Sequence, residues 1–328
     1  MTDLFDSFHR RIEYIRVSVT DRCNLRCTYC TAESVPRLPH DEILSYEEIR
    51  RVVQAAVGLG MRRIRLTGGE PLARPNLSAL VKMLYQIEGI DDIALTTNAI
   101  LLGKYAAELK AAGLKRVNIS LDTFKADKFR HITGADKLED VLSGIETAKQ
   151  VGLNPVKINT VVLNGFNDDE IVDFAQMSLT QGWHVRFIEH MPLVSVGTEN
   201  AQMVPVADMI AIINSSLGEL KPCWPASGGN GPAKYYQLPG ARGTIGFIGP
   251  VTDCFCSECN RFRLTADGRL RPCLLEDSEV DLKEPLRSGA SAQELKKLMH
   301  RAADLKKEQH CLSEKFVPSK RQMWQIGG

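Results

Sequence analysis

One unit recurs about six times along the first two thirds of this chain, a short β-type run followed by a helix-patterned segment that ends near a glycine. Strands are expected at 13–19, 62–67, 92–97, 115–121, 155–162 and 184–189. Helices are expected near 45–59, 76–88, 101–112, 136–151 and 168–181, with Gly60, Gly89, Gly113, Gly152 and Gly182 just past their ends. Ser45 followed by Glu48 is a capping-box pattern that opens the first helix. Short connections and right-handed crossovers make such strands parallel, and parallel strands of this kind close into a barrel or part of one. In a parallel barrel the inward positions near the strands' C-terminal ends converge on one pocket. Arg16, Arg65, Thr96, Ser120, Lys157 and Met191 all lie in or just after separate strands. A lone arginine is ordinarily a solvated surface residue and a lone methionine a core one, so the functional reading rests on the set.

Two cysteine groups supply the chemistry. Cys23, Cys27 and Cys30, spaced C-x3-C-x2-C, follow the alternating run Tyr14-Ile-Arg-Val-Ser-Val19, so they lie on the loop at a strand's C-terminal end. Three thiolates leave one metal position open, whereas structural zinc and closed electron-transfer clusters normally take four protein ligands. A zinc loop or free thiols remain readings of the spacing alone. The arrangement resembles the radical S-adenosylmethionine (SAM) superfamily, in which C-x3-C-x2-C holds a [4Fe-4S] cluster with one iron open to SAM. The aromatic Tyr29 before the last cysteine fits that signature, as does Gly68-Gly69-Glu70 after the second strand. Glycines there permit close backbone approach to a ligand, and Glu70 can accept hydrogen bonds from the SAM ammonium. The resemblance implies an α/β fold, an incomplete (β/α)6 barrel.

After about residue 192 the rhythm changes: Pro205, Pro222, Pro225 and Ser227-Gly-Gly-Asn-Gly-Pro232 read as a linker. Short runs near 234–238 and 243–248, a second cysteine group and a helix-patterned tail around 291–307 then make a small C-terminal domain. Residues 1–225 and 226–328 are the expected division. In the second group, Cys256, Cys259 and Cys273, the Asp267-Gly268 pair signals a hairpin that pairs Arg261–Thr265 with Arg269–Cys273 and returns Cys273 to the Cys256/Cys259 loop. Arg261 and Arg263 then share a strand face, and their planar guanidiniums match phosphate oxygens. C-x2-C is also a zinc signature, with Cys254 as a fourth ligand. Cys223 and Cys311 have no evident partners.

The whole chain is similar to the GTP 3',8-cyclase family, molybdenum cofactor biosynthesis protein A. It carries Thr20-Asp-Arg-Cys23, Thr96-Thr-Asn98, Asn118-Ile-Ser-Leu-Asp122, Ile132-Thr-Gly134, Lys157-Ile-Asn-Thr160, Arg186-Phe-Ile-Glu189 and a terminal Gly327-Gly328. The resemblance implies two [4Fe-4S] clusters, the first cleaving SAM and the second binding GTP. It assigns Tyr29, Gly68, Gly69, Glu70, Ser120 and Met191 to SAM, and Arg16, Arg65, Thr96, Lys157, Arg261, Phe262 and Arg263 to GTP. It implies that a radical made from SAM takes hydrogen from C3' of the ribose, and that the carbon radical then joins C8 of guanine. Arg16, Arg261 and Arg263 are the residues expected to be needed beyond the ligands. The Gly327-Gly328 tail is expected to enter the active site and to be needed for turnover. GTP brings roughly four negative charges and a three-thiolate cluster about one more, so a dry pocket needs several fixed cations. The family further implies an electron donor of flavodoxin or ferredoxin type, a cyclic pyranopterin monophosphate synthase that takes the product, and a homodimer. The chain departs from the family pattern at Thr31-Ala32, Ala73 and Ala99, the last where glycine often follows Thr-Thr-Asn, and alanine resists positive φ. A radical SAM enzyme acting on a peptide or another small molecule, and a metal-binding module without catalysis, are the competing readings.

The rest of the composition sets bounds. The 41 basic and 40 acidic residues give a net charge of +1, which signals neither nucleic acid nor membrane attraction. No signal peptide and no apolar run of about 18 residues is evident. Nine cysteines without secretion signals fit reduced thiols and metal in the cytoplasm.

Overall fold

The structure is a computed structural model, and it describes residues 3–30, 37–191, 203–224, 231–309 and 321–327. Six strands alternate with helices: β1 (Tyr14–Ser18), α1 (Tyr46–Val57), β2 (Arg63–Thr67), α2 (Leu77–Tyr85), β3 (Asp92–Thr97), α3 (Leu102–Ala111) and β4 (Arg116–Ser120) come first. They are followed by α4 (Ala126–Thr133), α5 (Leu138–Gln150), β5 (Val156–Val162), α6 (Ile171–Thr180) and β6 (His184–Glu189). All the expected strands and helices of this part form, each within a few residues of its expected ends. The capping box holds as well: the Glu48 amide donates to Ser45 Oγ at 3.1 Å and the Ser45 amide to Glu48 Oε2 at 2.7 Å. The short helix α4, between β4 and α5, was not expected.

Strands β1 to β6 are parallel neighbours in sequence order. Alternation sends Ile15, Val17, Ile64, Leu66, Leu95, Val117, Ile119 and Ile158 outward under the helices, where each is fully buried or nearly so. Each such side chain contributes roughly 1.5–3 kcal/mol of transfer free energy. The intervening residues, many of them charged, face the barrel interior.

The linker expected after residue 192 is in part a helix. Among its described residues, α7 (Val206–Leu217) opens at Pro205, where a missing amide proton costs a helix nothing, and buries Met209 and Ile213, one turn apart, against the core that includes α6. Pro205 and Pro222 bracket the helix; they do not break it. Then follow β7 (Lys221–Pro222), β8 (Lys234–Gln237), β9 (Ile245–Ile248), β10 (Arg261–Leu264), β11 (Arg269–Arg271), β12 (Val280–Asp281), α8 (Lys283–Arg287) and α9 (Ala292–Asp304). These strands build no sheet of their own. One twelve-stranded sheet runs β12-β11-β10-β1-β2-β3-β4-β5-β6-β9-β8-β7, with β10 parallel to β1 and β9 parallel to β6. The C-terminal part therefore extends both edges of the partial barrel, and the sheet runs through the expected boundary at 225/226, since β7 pairs with β8.

Candidate active site

The strand directions separate the two cysteine groups. Cys23, Cys27 and Cys30 follow the C-terminal end of β1, while Cys256 and Cys259 precede β10. Because β10 is parallel to β1, with Arg261 opposite Tyr14 and Arg263 opposite Arg16, these two groups lie at opposite ends of one strand pair. The hairpin turns as expected: β11 is antiparallel to β10, Gly268 takes φ +79°, and Cys273 returns to the Cys256/Cys259 end. The two ends are one strand apart, roughly 15 Å. A single cavity of about 350 Å³ is lined by all six cysteines. Cys254 is exposed and is not among the lining residues.

Between the two groups stands a row of cations. Strand register sets Arg263, Arg16 and Arg65 side by side on three adjacent parallel strands. Thr96, Asn118 and Lys157 form a similar row on β3, β4 and β5. Burial, then the neighbouring Arg263, holds Arg16 well below the ordinary arginine range. Burial brings Arg65 and Arg263 down to about 10. Lys157, 1% exposed, falls to about 6 through burial and the nearby Arg186, Arg116 and Arg65. Arg16 Nε, Arg65 Nε, Arg261 Nε and Thr96 Oγ1 are buried without a hydrogen-bond partner. Buried cations with unused donors are costly unless an anion joins them, so the interior is built for a multiply charged anionic ligand.

The loop that carries the first cysteines is fixed by Gly68 and Gly69. A Cβ on Gly68 would sit 2.6 Å from Thr20 O, and one on Gly69 2.5 Å from Arg22 O. The glycines are therefore required by the cysteine loop itself, whose carbonyls at Thr20 and Arg22 accept from the Gly69 and Glu70 amides at 2.8 Å. Glu70 also has work within the protein. Its carboxylate accepts from Leu72 N (3.0 Å), Thr97 Oγ1 (2.7 Å) and Asn98 N (2.8 Å), and burial raises it to about 7. Tyr29 donates to Asp122 Oδ2 at 2.6 Å. Burial pushes the Cys23 thiol up, and burial with the neighbouring Cys30 pushes Cys27 further, so a cationic centre would favour their ionisation. Among the described residues no group of three Cys, His, Asp or Glu side chains is drawn close enough for a single ion. A cubane with each thiolate on its own iron spans more, and this donor set fits it.

Most of the other expected residues lie where the sequence put them. Ser120, Met191, Thr96, Arg261 and Arg263 line the cavity. Phe262 is a correction: strand alternation turns its side chain, 0% exposed, into the core on the opposite face of β10. Gly327 does reach the interior. Its carbonyl accepts from Arg16 Nη2 at 2.8 Å and from Thr67 Oγ1 at 3.3 Å, and Met323 and Trp324 line the cavity. Gly328, Thr31, Ala32 and Cys311 lie outside the described residues. Sequence reasoning did not single out Tyr14, Arg116 and Asp122, which also line the cavity. Asp122 was visible within the Asn118–Asp122 motif. Tyr14 and Arg116 needed only the inward alternation of β1 and β4.

Comparison with known proteins agrees with this geometry. The family model described as Radical SAM superfamily matches residues 17–178, and the one described as Molybdenum Cofactor Synthesis C matches residues 183–312. A GTP 3',8-cyclase of Pelotomaculum thermopropionicum is 51% identical over 325 residues, 98% of this chain and 99% of that protein. Those of Moorella thermoacetica and Heliobacterium modesticaldum are 49% and 47% identical, over 98% and 99% of this chain and 99% and 100% of their own lengths. Among solved structures, Streptococcus suis SuiB bound to S-adenosylmethionine superposes with a TM-score of 0.62 at 13% identity, over 87% of this chain and 68% of that one, and so shares the fold. With its fold, its cysteine loops and its full-length relatives in agreement, the chain belongs to the GTP 3',8-cyclase family of radical SAM enzymes.

Proposed function

We propose that the chain converts GTP to 3',8-cyclo-7,8-dihydro-GTP, a lyase reaction that opens molybdenum cofactor biosynthesis. The observation that carries this reading is the cation-lined cavity held between two three-cysteine loops at opposite ends of the β1–β10 pair. Cys23, Cys27 and Cys30 would hold the [4Fe-4S] cluster and SAM that supply one-electron chemistry. Cys256, Cys259 and Cys273 would hold a second [4Fe-4S] cluster that receives the guanine end of the substrate.

The protein's own part is placement. Arg16, Arg65 and Arg261 each bury an unpartnered Nε, and Arg263 stands beside Arg16 on the adjacent strand, so that triphosphate oxygens would replace lost hydration. Thr96 Oγ1, without a partner, is available to the nucleotide, and Lys157 gains a proton when an anion arrives beside it. At the other end Tyr29, Gly68, Gly69, Ser120 and Met191 form the SAM-facing wall. Glu70 orders that wall through three protein hydrogen bonds before any SAM ammonium reaches it. The Gly327 segment occupies the interior beside Arg16, excludes water there and keeps that guanidinium oriented. A flavodoxin- or ferredoxin-type donor, a downstream cyclic pyranopterin monophosphate synthase and a homodimer belong to the same reading.

The test is anaerobic turnover of the reconstituted protein with SAM, dithionite and GTP, following 5'-deoxyadenosine and the nucleotide product by mass. A GTP isomer formed with GTP-dependent SAM cleavage is expected. SAM cleavage indifferent to GTP would sink the substrate assignment while leaving a radical enzyme for another molecule.

A further inference from the structure

The second cysteine group has a buried cation beside it that the substrate reading does not use. Lys306 lies just beyond the end of α9 and is 4% exposed. Its ammonium donates to Pro272 O at 2.7 Å, to Cys259 Sγ at 3.2 Å and to Arg261 O at 3.5 Å. These acceptors come from both halves of the hairpin: Cys259 and Arg261 from its start, and Pro272 from the position before Cys273. The chain after Lys306 is held to the same loop. Arg10, itself bonded to Asp6 Oδ2 at 2.7 Å, donates through Nη1 to Cys256 O and Glu308 O, both at 2.7 Å, and through Nη2 to Lys307 O at 2.6 Å. A buried ammonium needs an anion or a full set of acceptors. Two carbonyls supply part of that set, and the sulfur supplies the rest.

We infer that Lys306 is a positioning residue of the second cluster, one that fixes the Cys259 and Cys273 ends of the hairpin against each other and donates a hydrogen bond to the Cys259 thiolate. This rests on the two-cluster reading above. Cluster potentials respond to net charge and to hydrogen bonds to the sulfurs. A cation donating to a ligand sulfur stabilises the more negative, reduced cluster, so Lys306 raises the potential of the second cluster. A side chain that served only as packing, delivering neither charge nor a hydrogen bond to the sulfur, would leave that potential where it was. The helix-patterned tail at 291–307 thus ends in a residue that acts on the iron site.

The experiment compares full-length reconstituted wild type with Lys306→Met and Lys306→Arg. Iron and sulfide are counted, and both cluster potentials are read by redox titration followed by electron paramagnetic resonance; the signal perturbed by GTP marks the second cluster and the one perturbed by SAM the first. The Met variant is expected to shift the second cluster alone to more negative potential, and the Arg variant to restore it. Loss of second-site iron in the Met variant with retention in the Arg variant carries the same assignment. Unchanged potentials in a fully loaded Met variant, or equal loss of iron in both variants, overturn it. Wild-type protein holding iron and sulfide for one cluster only overturns the two-cluster reading and this inference with it.

Discussion

Single residues in the cavity are set for a ligand at the expense of the empty protein. Arg65 is buried beside Tyr14, whose ring its guanidinium overlies at 5.5 Å, with its Nε unpartnered. Arg65→Met is therefore expected to raise the melting temperature of the nucleotide-free protein. It should also weaken GTP binding by about tenfold or more, since a hydrogen bond to a charged group is worth ~1.5–3 kcal/mol. Calorimetry reads both. Lys157, lowered to about 6, is mostly neutral at neutral pH in the empty pocket. Because the unfolded chain keeps that proton up to the ordinary lysine range, Lys157 makes stability rise with pH between about 6 and 10. A polyphosphate beside it raises its pKa again, so GTP binding near pH 7.5 takes up a proton. Titration calorimetry in buffers of different ionisation enthalpy should show that uptake, and Lys157→Met should abolish it. Ala99 marks another residue-scale tension. It adopts φ +64°, the left-handed conformation that alanine resists, and is fully buried against the Gly144 turn of α5, with its carbonyl 2.5 Å from where a Gly144 Cβ would stand. The obstacle foreseen in the sequence is real, yet the turn forms, because Thr97 Oγ1 accepts from the Ala99 amide at 3.0 Å and the surrounding helices fix it. Ala99→Val, branched at Cβ, should cost about 2 kcal/mol or more in denaturant unfolding.

At the scale of elements, the hairpin β10–β11 carries a geometric duty out of proportion to its length. It alone returns Cys273 to Cys256 and Cys259, and its turn depends on Gly268 at φ +79°, where a Cβ would press to 2.8 Å from Lys283 Cβ. Gly268→Ala should cost about 1 kcal/mol or more and, on the proposed two-cluster reading, lower iron at the second site with the first site loaded normally. Iron counts on the variant check this. The hairpin was legible because Asp-Gly is a strong local signal. So were the six βα units, whose periodicities of 2 and 3.6 are local properties of the chain. Helix α7 was not, because the prolines and glycines around it carry loop signals and its two buried anchors, Met209 and Ile213, acquire meaning only against the core they join. Phe262 shows the opposite error: a motif read as a block, although alternation within a strand gives its neighbours Arg261 and Arg263 to the cavity and Phe262 to the core.

Across the whole molecule, segments from both ends of the chain meet at one interior. Arg321 clamps the tail to the hairpin, pairing with Asp267 at 2.9 Å and with Glu279 at 2.7 Å, and from there the chain runs to Gly327 beside Arg16. Arg321→Ala should loosen residues 322–327, seen as faster amide hydrogen exchange in that segment with the barrel strands unchanged. An unchanged segment would mean that Trp324 and Ile326, both buried, hold the tail without the clamp. The sequence by itself determined the parallel βα architecture, the cysteine spacing and the inward placement of the strand arginines, because each follows from local periodicity or from residue type. Only the tertiary structure decided that the C-terminal strands extend both edges of the barrel sheet, that the two cysteine groups lie at opposite ends of one strand pair, and that Lys306 reaches Cys259 across 47 residues of chain. Those facts depend on strand register and on side chains meeting from distant segments, and no local pattern encodes which edge a strand will join.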